Sequence, residues 1–249
     1  MGLPWKRTSI TAATGGACPP FSPLDISGLK LWLDASAITG LNNNDSVTTW
    51  ADISGNGNDV TQSTGSKKPT YQTNQINGLP AVVFDGVDDQ LENSMSMAAG
   101  AKTLVVIGKL SGGAINYPRA FSGKPDTTFL MGCASTGKNL CLIMGNGSGS
   151  WNSVAANTPT TSWNAVWLIA GLRTDGTTLT PRANATTLNT TNGSNPTALT
   201  GVVVGAAPTG AGVQWWTGPI HAVLAYDRDI GSGAMGSIFS YYRTRTAIY

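Results

Sequence analysis

Thirteen acidic residues and one histidine are the groups in this 249-residue chain on which catalysis would draw, and their types narrow the chemistry at once. Every acidic residue but Glu92 is an aspartate. Two carboxylates facing across a cleft can cleave a glycosidic bond. Here, however, the aspartates stand mostly beside Gly or Ser, in turn contexts where their side chains cap backbone amides. A single histidine excludes any two-histidine metal site. His221 lies in Ile220-His221-Ala222-Val223-Leu224, which reads as a strand. Alternation places Ile220, Leu224 and Tyr226 on one face and His221 with Val223 on the other. No G-x-S-x-G elbow precedes a helix to supply a nucleophile, so His221 reads as structural.

Asp85, Asp88 and Asp89 form the one acidic cluster, with Asp34 and Asp52 as further oxygens that folding could bring near. Such hard ligands suit calcium, which wants about six oxygens. The same D-G-x-D-D spacing is also a plain hairpin turn. Among eight tryptophans, Trp32, Trp50, Trp163 and Trp167 fall in strand patterns and read as core. Trp151 follows Gly149-Ser150, and Trp215-Trp216 precede the last strand, so these three are the candidate contact residues. An exposed indole stacks on a sugar ring or anchors a protein interface equally well. Three cysteines leave at least one unpaired within the chain. Cys133 and Cys141 flank a turn centred on Gly137, which would set them opposite each other, whereas Cys18 stands far away near the N-terminus.

The elements that must position these residues are strands. Short apolar runs of period two (Leu31 and Leu33; Val82 and Phe84) alternate with turns rich in Gly, Asn and Asp. Strands are expected near 29–34, 81–85, 90–93, 103–110, 118–122, 127–133, 139–144, 164–173, 178–183, 201–205 and 218–227. The pattern predicts an all-β, two-sheet antiparallel jelly-roll sandwich. One helix is expected after Asp229, where Met235, Ile238, Phe239 and Tyr242 have helical spacing, and it should cap one end of the sandwich. The polar stretch 35–80 reads as a long loop, either a contact surface or a crossing over a sheet edge held by Trp50 and Tyr71. No internal repeat is present.

Residues 1–27 hold four of the 13 prolines and no sustained periodicity. They read as an N-terminal arm, with residues 28–249 as the sandwich domain. Trp5, Ile10, Cys18 and Phe21 are the arm's candidate assembly contacts, either along the sandwich or on a neighbouring copy. With 11% charged residues and a net charge of +2, the chain offers no strong attraction to nucleic acid or to a membrane surface. No apolar segment of signal-peptide or membrane-spanning length is found.

Four pieces in order resemble the laminin-G-like, concanavalin A-like lectin/glucanase jelly rolls. They are the Gly28-Leu29-Lys30-Leu31-Trp32-Leu33-Asp34-Ala35-Ser36 opening, the Trp50-x-Asp52-x-Ser54-Gly55-Asn56-Gly57-Asn58 turn, the Pro80 to Leu91 strand pair, and Gly218 to Arg228. The resemblance implies a sandwich whose last strand returns to the first, and calcium at the rim in several members. Glucanases of this superfamily use two glutamates around an aspartate on one strand, which a chain whose sole glutamate is Glu92 cannot supply. The resemblance also implies a setting in phage and bacterial surface proteins. The expectation is therefore a non-catalytic structural or decorating subunit of a bacteriophage virion, on the head surface or in a tail fibre or baseplate. Assembled in the host cytoplasm, it would contact other virion proteins and copies of itself. The alternative is a carbohydrate-binding, lectin-like module that recognises bacterial surface glycan. No cofactor is expected, calcium aside.

Overall fold

The computed structural model describes residues 20–112, 118–125, 129–133, 140–145, 151–155, 165–188, 190–192, 196–208 and 214–249. In chain order the strands are β1 Leu29–Asp34, β2 Thr49–Trp50, β3 Val60–Thr61, β4 Thr70–Ile76, β5 Leu79–Asp85, β6 Leu91–Asn93, β7 Lys102–Gly108, β8 Arg119–Lys124 and β9 Phe129–Cys133. They continue as β10 Leu140–Gly145, β11 Trp151–Ala155, β12 Leu168–Thr174, β13 Thr178–Ala183, β14 Thr186–Thr187, β15 Thr191–Asn192, β16 Gly201–Val204 and β17 Thr217–Tyr226. One helix, α1 Gly231–Thr246, follows. A nine-stranded antiparallel sheet runs β14-β13-β12-β7-β17-β5-β4, with β1 also on β17 and β15 on β13; an eight-stranded sheet runs β11-β10-β9-β8-β16-β6-β3-β2. The expected two-sheet sandwich is the architecture observed.

β17 is the hub. It pairs β7 along one side, while its other side takes β5 from Thr217 to Ile220 and β1 from Ala222 to Tyr226. Leu31, Leu33, Val82, Phe84, Leu104, Val106, Val202, Val204 and Val223 alternate inward between the sheets and are buried together. The outward residues of the nine-stranded sheet are apolar too. Trp32, Val105, Ile107, Ile169, Ala222, Leu224 and Tyr226 pack against Met235, Ile238, Phe239 and Tyr242 of α1. The helix thus lies across the outer face of this sheet and does not cap an end, because a second apolar face on the sheet must be covered. Gly171 permits the close approach: a Cβ there would stand 2.8 Å from Met235 Cε and 2.9 Å from the Phe239 ring.

Two expectations are corrected by register. The β17–β7 pairing shifts between Ile220 and Ala222, a bulge at His221. Ile220 therefore joins Val223 and Ala225 in the inter-sheet core, while Leu224 and Tyr226 face the helix. On the other sheet, Cys133 pairs with Leu140 and Cys141 with Gly132, so the two cysteines are not directly opposed. The stretch 35–80 is an ordered crossing and not one long loop, for it contains β2, β3 and β4, with Trp50 and Tyr71 buried. Among the described residues no helix is long and apolar enough to cross a membrane.

Candidate functional site

α1 buries Met235, Ile238, Phe239, Tyr242 and Thr246 against the sheet, so the residues between them form a second face. Ser237, Ser240, Tyr241, Thr244 and Arg245 recur at helical spacing along it. Opposite them runs the segment before β1, where Pro20 and Phe21 complete a groove of about 380 Å³. The segment is held by a capping box, in which Ser22 Oγ accepts from the Leu24 N–H and Asp25 accepts from the Ser22 N–H at 2.8 Å. The buried Tyr226 hydroxyl donates to the Pro23 carbonyl at 3.1 Å. These contacts set the Phe21 ring edge-on to Tyr241, centroids 6.1 Å apart.

Behind the groove lies a buried polar network. Asp34, 2% exposed, sits at the end of β1, where Arg245 Nη1 approaches its Oδ2 to 3.3 Å and the Ser36 N–H donates to its Oδ1 at 2.9 Å. The Tyr242 hydroxyl receives the Trp32 indole N–H at 2.7 Å and lies 3.4 Å from Asp34 Oδ2. Burial, reinforced by Asp34, pushes the Tyr242 phenol well above its ordinary pKa, so it stays protonated as a donor. Burial opposes the Arg245 charge, but Asp34 and the Tyr241 and Tyr242 hydroxyls outweigh it and raise the guanidinium pKa. Arg245 also donates from Nη1 to the Tyr241 hydroxyl and lies over its ring at 5.0 Å. His221 is fully buried, with Nδ1 2.8 Å from the Pro80 carbonyl and Nε2 3.8 Å from Asp34 Oδ1. Desolvation lowers its pKa against the pull of Asp34. It is structural packing for this network.

The sequence-predicted residues divide. Phe21 lines the groove, while Trp5, Ile10 and Cys18 lie outside the described residues. Trp151 opens β11, though its side chain lies outside them too. Trp215 is half-buried. Trp216 is 0% exposed in the inter-sheet core and is not a contact residue, a correction that follows from its inward position just before β17. The carboxylates of Asp85, Asp88 and Asp89 do come within 4.8 Å of one another. Their oxygens serve the hairpin: Asp85 Oδ1 accepts from the Val87 and Asp88 N–H groups at 2.8 and 3.3 Å, and Asp89 Oδ2 from the Asp85 N–H at 2.9 Å. Asp34 and Asp52 are committed elsewhere, to α1 and to the edge of β1. Glu92 is held by Lys124 at 2.6 Å on the eight-stranded sheet. Sequence reasoning passed over Ser237, Ser240, Tyr241, Thr244 and Arg245; the trace they leave is the hydroxyl-rich repeat opposite the apolar stripe.

No protein-family model and no curated protein sequence matches the chain. Among solved structures it is similar to the binding domain of botulinum neurotoxin serotype D (TM-score 0.65, 12% identity), over 90% of this chain and 54% of that one. It is also similar to domain 4 of AbnA, a GH43 extracellular arabinanase from Geobacillus stearothermophilus, solved with arabinotriose (TM-score 0.59, 14% identity). That match covers 85% of this chain and 98% of that one. A third is the binding domain of Paraclostridial Mosquitocidal Protein 1, at TM-score 0.57 and 10% identity over 89% and 53% of the two chains. The chain therefore spans about half the length of the toxin binding domains, but matches the arabinanase domain end to end. These likenesses show a shared sandwich fold.

Proposed function

We propose that the chain is a non-catalytic, glycan-binding sandwich module whose sugar site is the groove between Phe21 and α1. The observation that carries this reading is the groove's composition on a rigid helix: two half-buried aromatic rings, three hydroxyl side chains and one guanidinium around a single cleft. Sugars present an apolar C–H face and a rim of hydroxyls, so they suit an aromatic wall flanked by fixed donors and acceptors. The end-to-end likeness to a domain solved with arabinotriose supports the same reading. It favours the lectin-like alternative over a virion subunit, which gains no support from these neighbours.

The test is calorimetric titration with a panel of oligosaccharides, arabinotriose included, against the wild type, Ser240→Trp and Phe21→Ala. Ser240 is exposed, so an indole there fills the groove without touching the core. Both variants should lose binding by about tenfold or more with the fold intact. Undiminished binding by Ser240→Trp would sink the assignment, and loss on Trp151→Ala or Trp215→Ala instead would move the site to those residues.

A further inference from the structure

Resting on the glycan-binding reading, we infer that the groove selects carboxylate-bearing sugars, with Arg245 as the residue that reads the acid. Among the described residues Arg245 is the one ionisable group other than the Tyr241 phenol lining the groove, and its side chain is 29% exposed. Its Nη1 is spent on Asp34 and Tyr241. Among the described residues the guanidinium's remaining donors have no hydrogen-bond partner, and they sit in the planar fork that matches a carboxylate.

α1 contains no Asp or Glu over Gly231–Thr246. Arg243 lies two positions before Arg245, with its guanidinium 5.7 Å from the Tyr249 ring. Arg182 reaches the same helix from β13, over the Phe239 ring at 4.7 Å. Neither Arg182 nor Arg243 lines the groove; Asp34, 2% exposed, neutralises Arg245 from behind, while Asp25 in the segment opposite has its Oδ2 on the Ser22 N–H. A neutral sugar satisfies the hydroxyls and the aromatic wall but leaves the Arg245 guanidinium unused, whereas a uronic or similar acidic unit satisfies all three. Asp34 also pins the fork: through Arg245 Nη1 and the Tyr242 hydroxyl it fixes the guanidinium before any ligand arrives, lowering the ordering cost of binding.

The experiment compares trigalacturonate with neutral arabinotriose and galactotriose on the full chain, at low and at high salt. Trigalacturonate should bind about tenfold more tightly than either neutral trisaccharide at low salt, and the margin should shrink as salt rises. Ser240→Glu places a carboxylate in the groove at an exposed position and should weaken trigalacturonate more than either neutral trisaccharide, erasing the margin. Arg245→Lys keeps the charge without the fork and should reduce the margin, with thermal unfolding followed in parallel. Equal affinity for acidic and neutral sugars overturns the acid preference and leaves the glycan reading standing. An acid margin unchanged in Ser240→Glu overturns the placement in this groove. Failure of every sugar to bind overturns both readings together.

Discussion

Asp52 Oδ1 accepts the backbone N–H of Trp32 at 2.9 Å, joining a turn to the free edge of the first strand. The contact is one of a series. The Ile53 N–H donates to the Trp32 carbonyl, Asn56 Nδ2 to the Leu29 carbonyl and Asn58 Nδ2 to the Lys30 carbonyl, at 2.9, 2.9 and 2.7 Å. Asp52 Oδ2 in turn accepts the Asn58 N–H at 2.9 Å. The W-x-D-x-S-G-N-G-N turn thus closes an exposed strand edge with side chains, a role that needs Asp and Asn at alternating positions. Asp52→Ala should cost roughly 2 kcal/mol by stranding these amides, read from urea unfolding. Hydrogen exchange at the Trp32 amide should quicken. An unchanged Trp32 exchange rate would refute the edge-closing role.

Gly171 carries the helix contact. Gly171→Ala should destabilise by about 1 to 3 kcal/mol, since the new methyl must displace Met235 or Phe239, and Gly171→Val should cost more. Thermal unfolding by circular dichroism measures it. A neutral Gly171→Val would mean α1 does not seat where it is described.

Asp89 makes an inverted acid response. It is 6% exposed, and burial, opposed by the Asp85 amide, pushes its pKa up to about 6. With the folded value raised, the native state holds a proton that the unfolded chain releases between the ordinary value of 3.8 and about 6. This group's contribution to stability is therefore complete below that window and is lost as pH rises through it. Asp89→Asn should stabilise the protein at pH 7 by about 1 to 2 kcal/mol, and the gain should vanish by pH 4. A difference in melting temperature that stays flat across this range would contradict the assignment.

The segment 20–27, the end of the arm by sequence, packs along the sandwich. It supplies Phe21 to Tyr241, the Pro23 carbonyl to Tyr226, and Ser27 Oγ to Arg228 at 2.7 Å. A chain starting at Pro20 should melt close to the full chain. One starting at Gly28 should melt several degrees lower, at about 2 to 4 °C per kcal/mol lost. Equal melting of the two shortened chains would mean that these contacts add nothing to the sandwich's stability.

The sandwich was legible because β1, β5, β7 and β17 are long enough for alternation to show. β2 and β3 have two residues each, too few for any period. β4 was missed although Asn77-Gly78, at φ 45° and 78°, forms the two-residue hairpin turn that joins it to β5. Its Thr70–Ile76 run is mostly polar, and Asn74 at φ 53° breaks the alternation. His221 was assigned to the wrong partners because a bulge adds a residue that no hydropathy pattern records. The groove was illegible for a different reason. Ser237, Ser240 and Thr244 read as a solvent face, and only the approach of Phe21, distant in sequence, turns that face into a cleft.

The pairing of Leu29 with Tyr226 also governs when this protein can become itself. Among the described residues the first strand pairs only with the last strand, β17, so the closing contact spans every other strand of the two sheets. Topologies dominated by such distant pairings fold slowly. During synthesis the apolar stripe of Leu31, Trp32 and Leu33 has no partner strand until β17 has been made. The turn around Asp52, made soon after β1, is positioned to shield that edge during the wait.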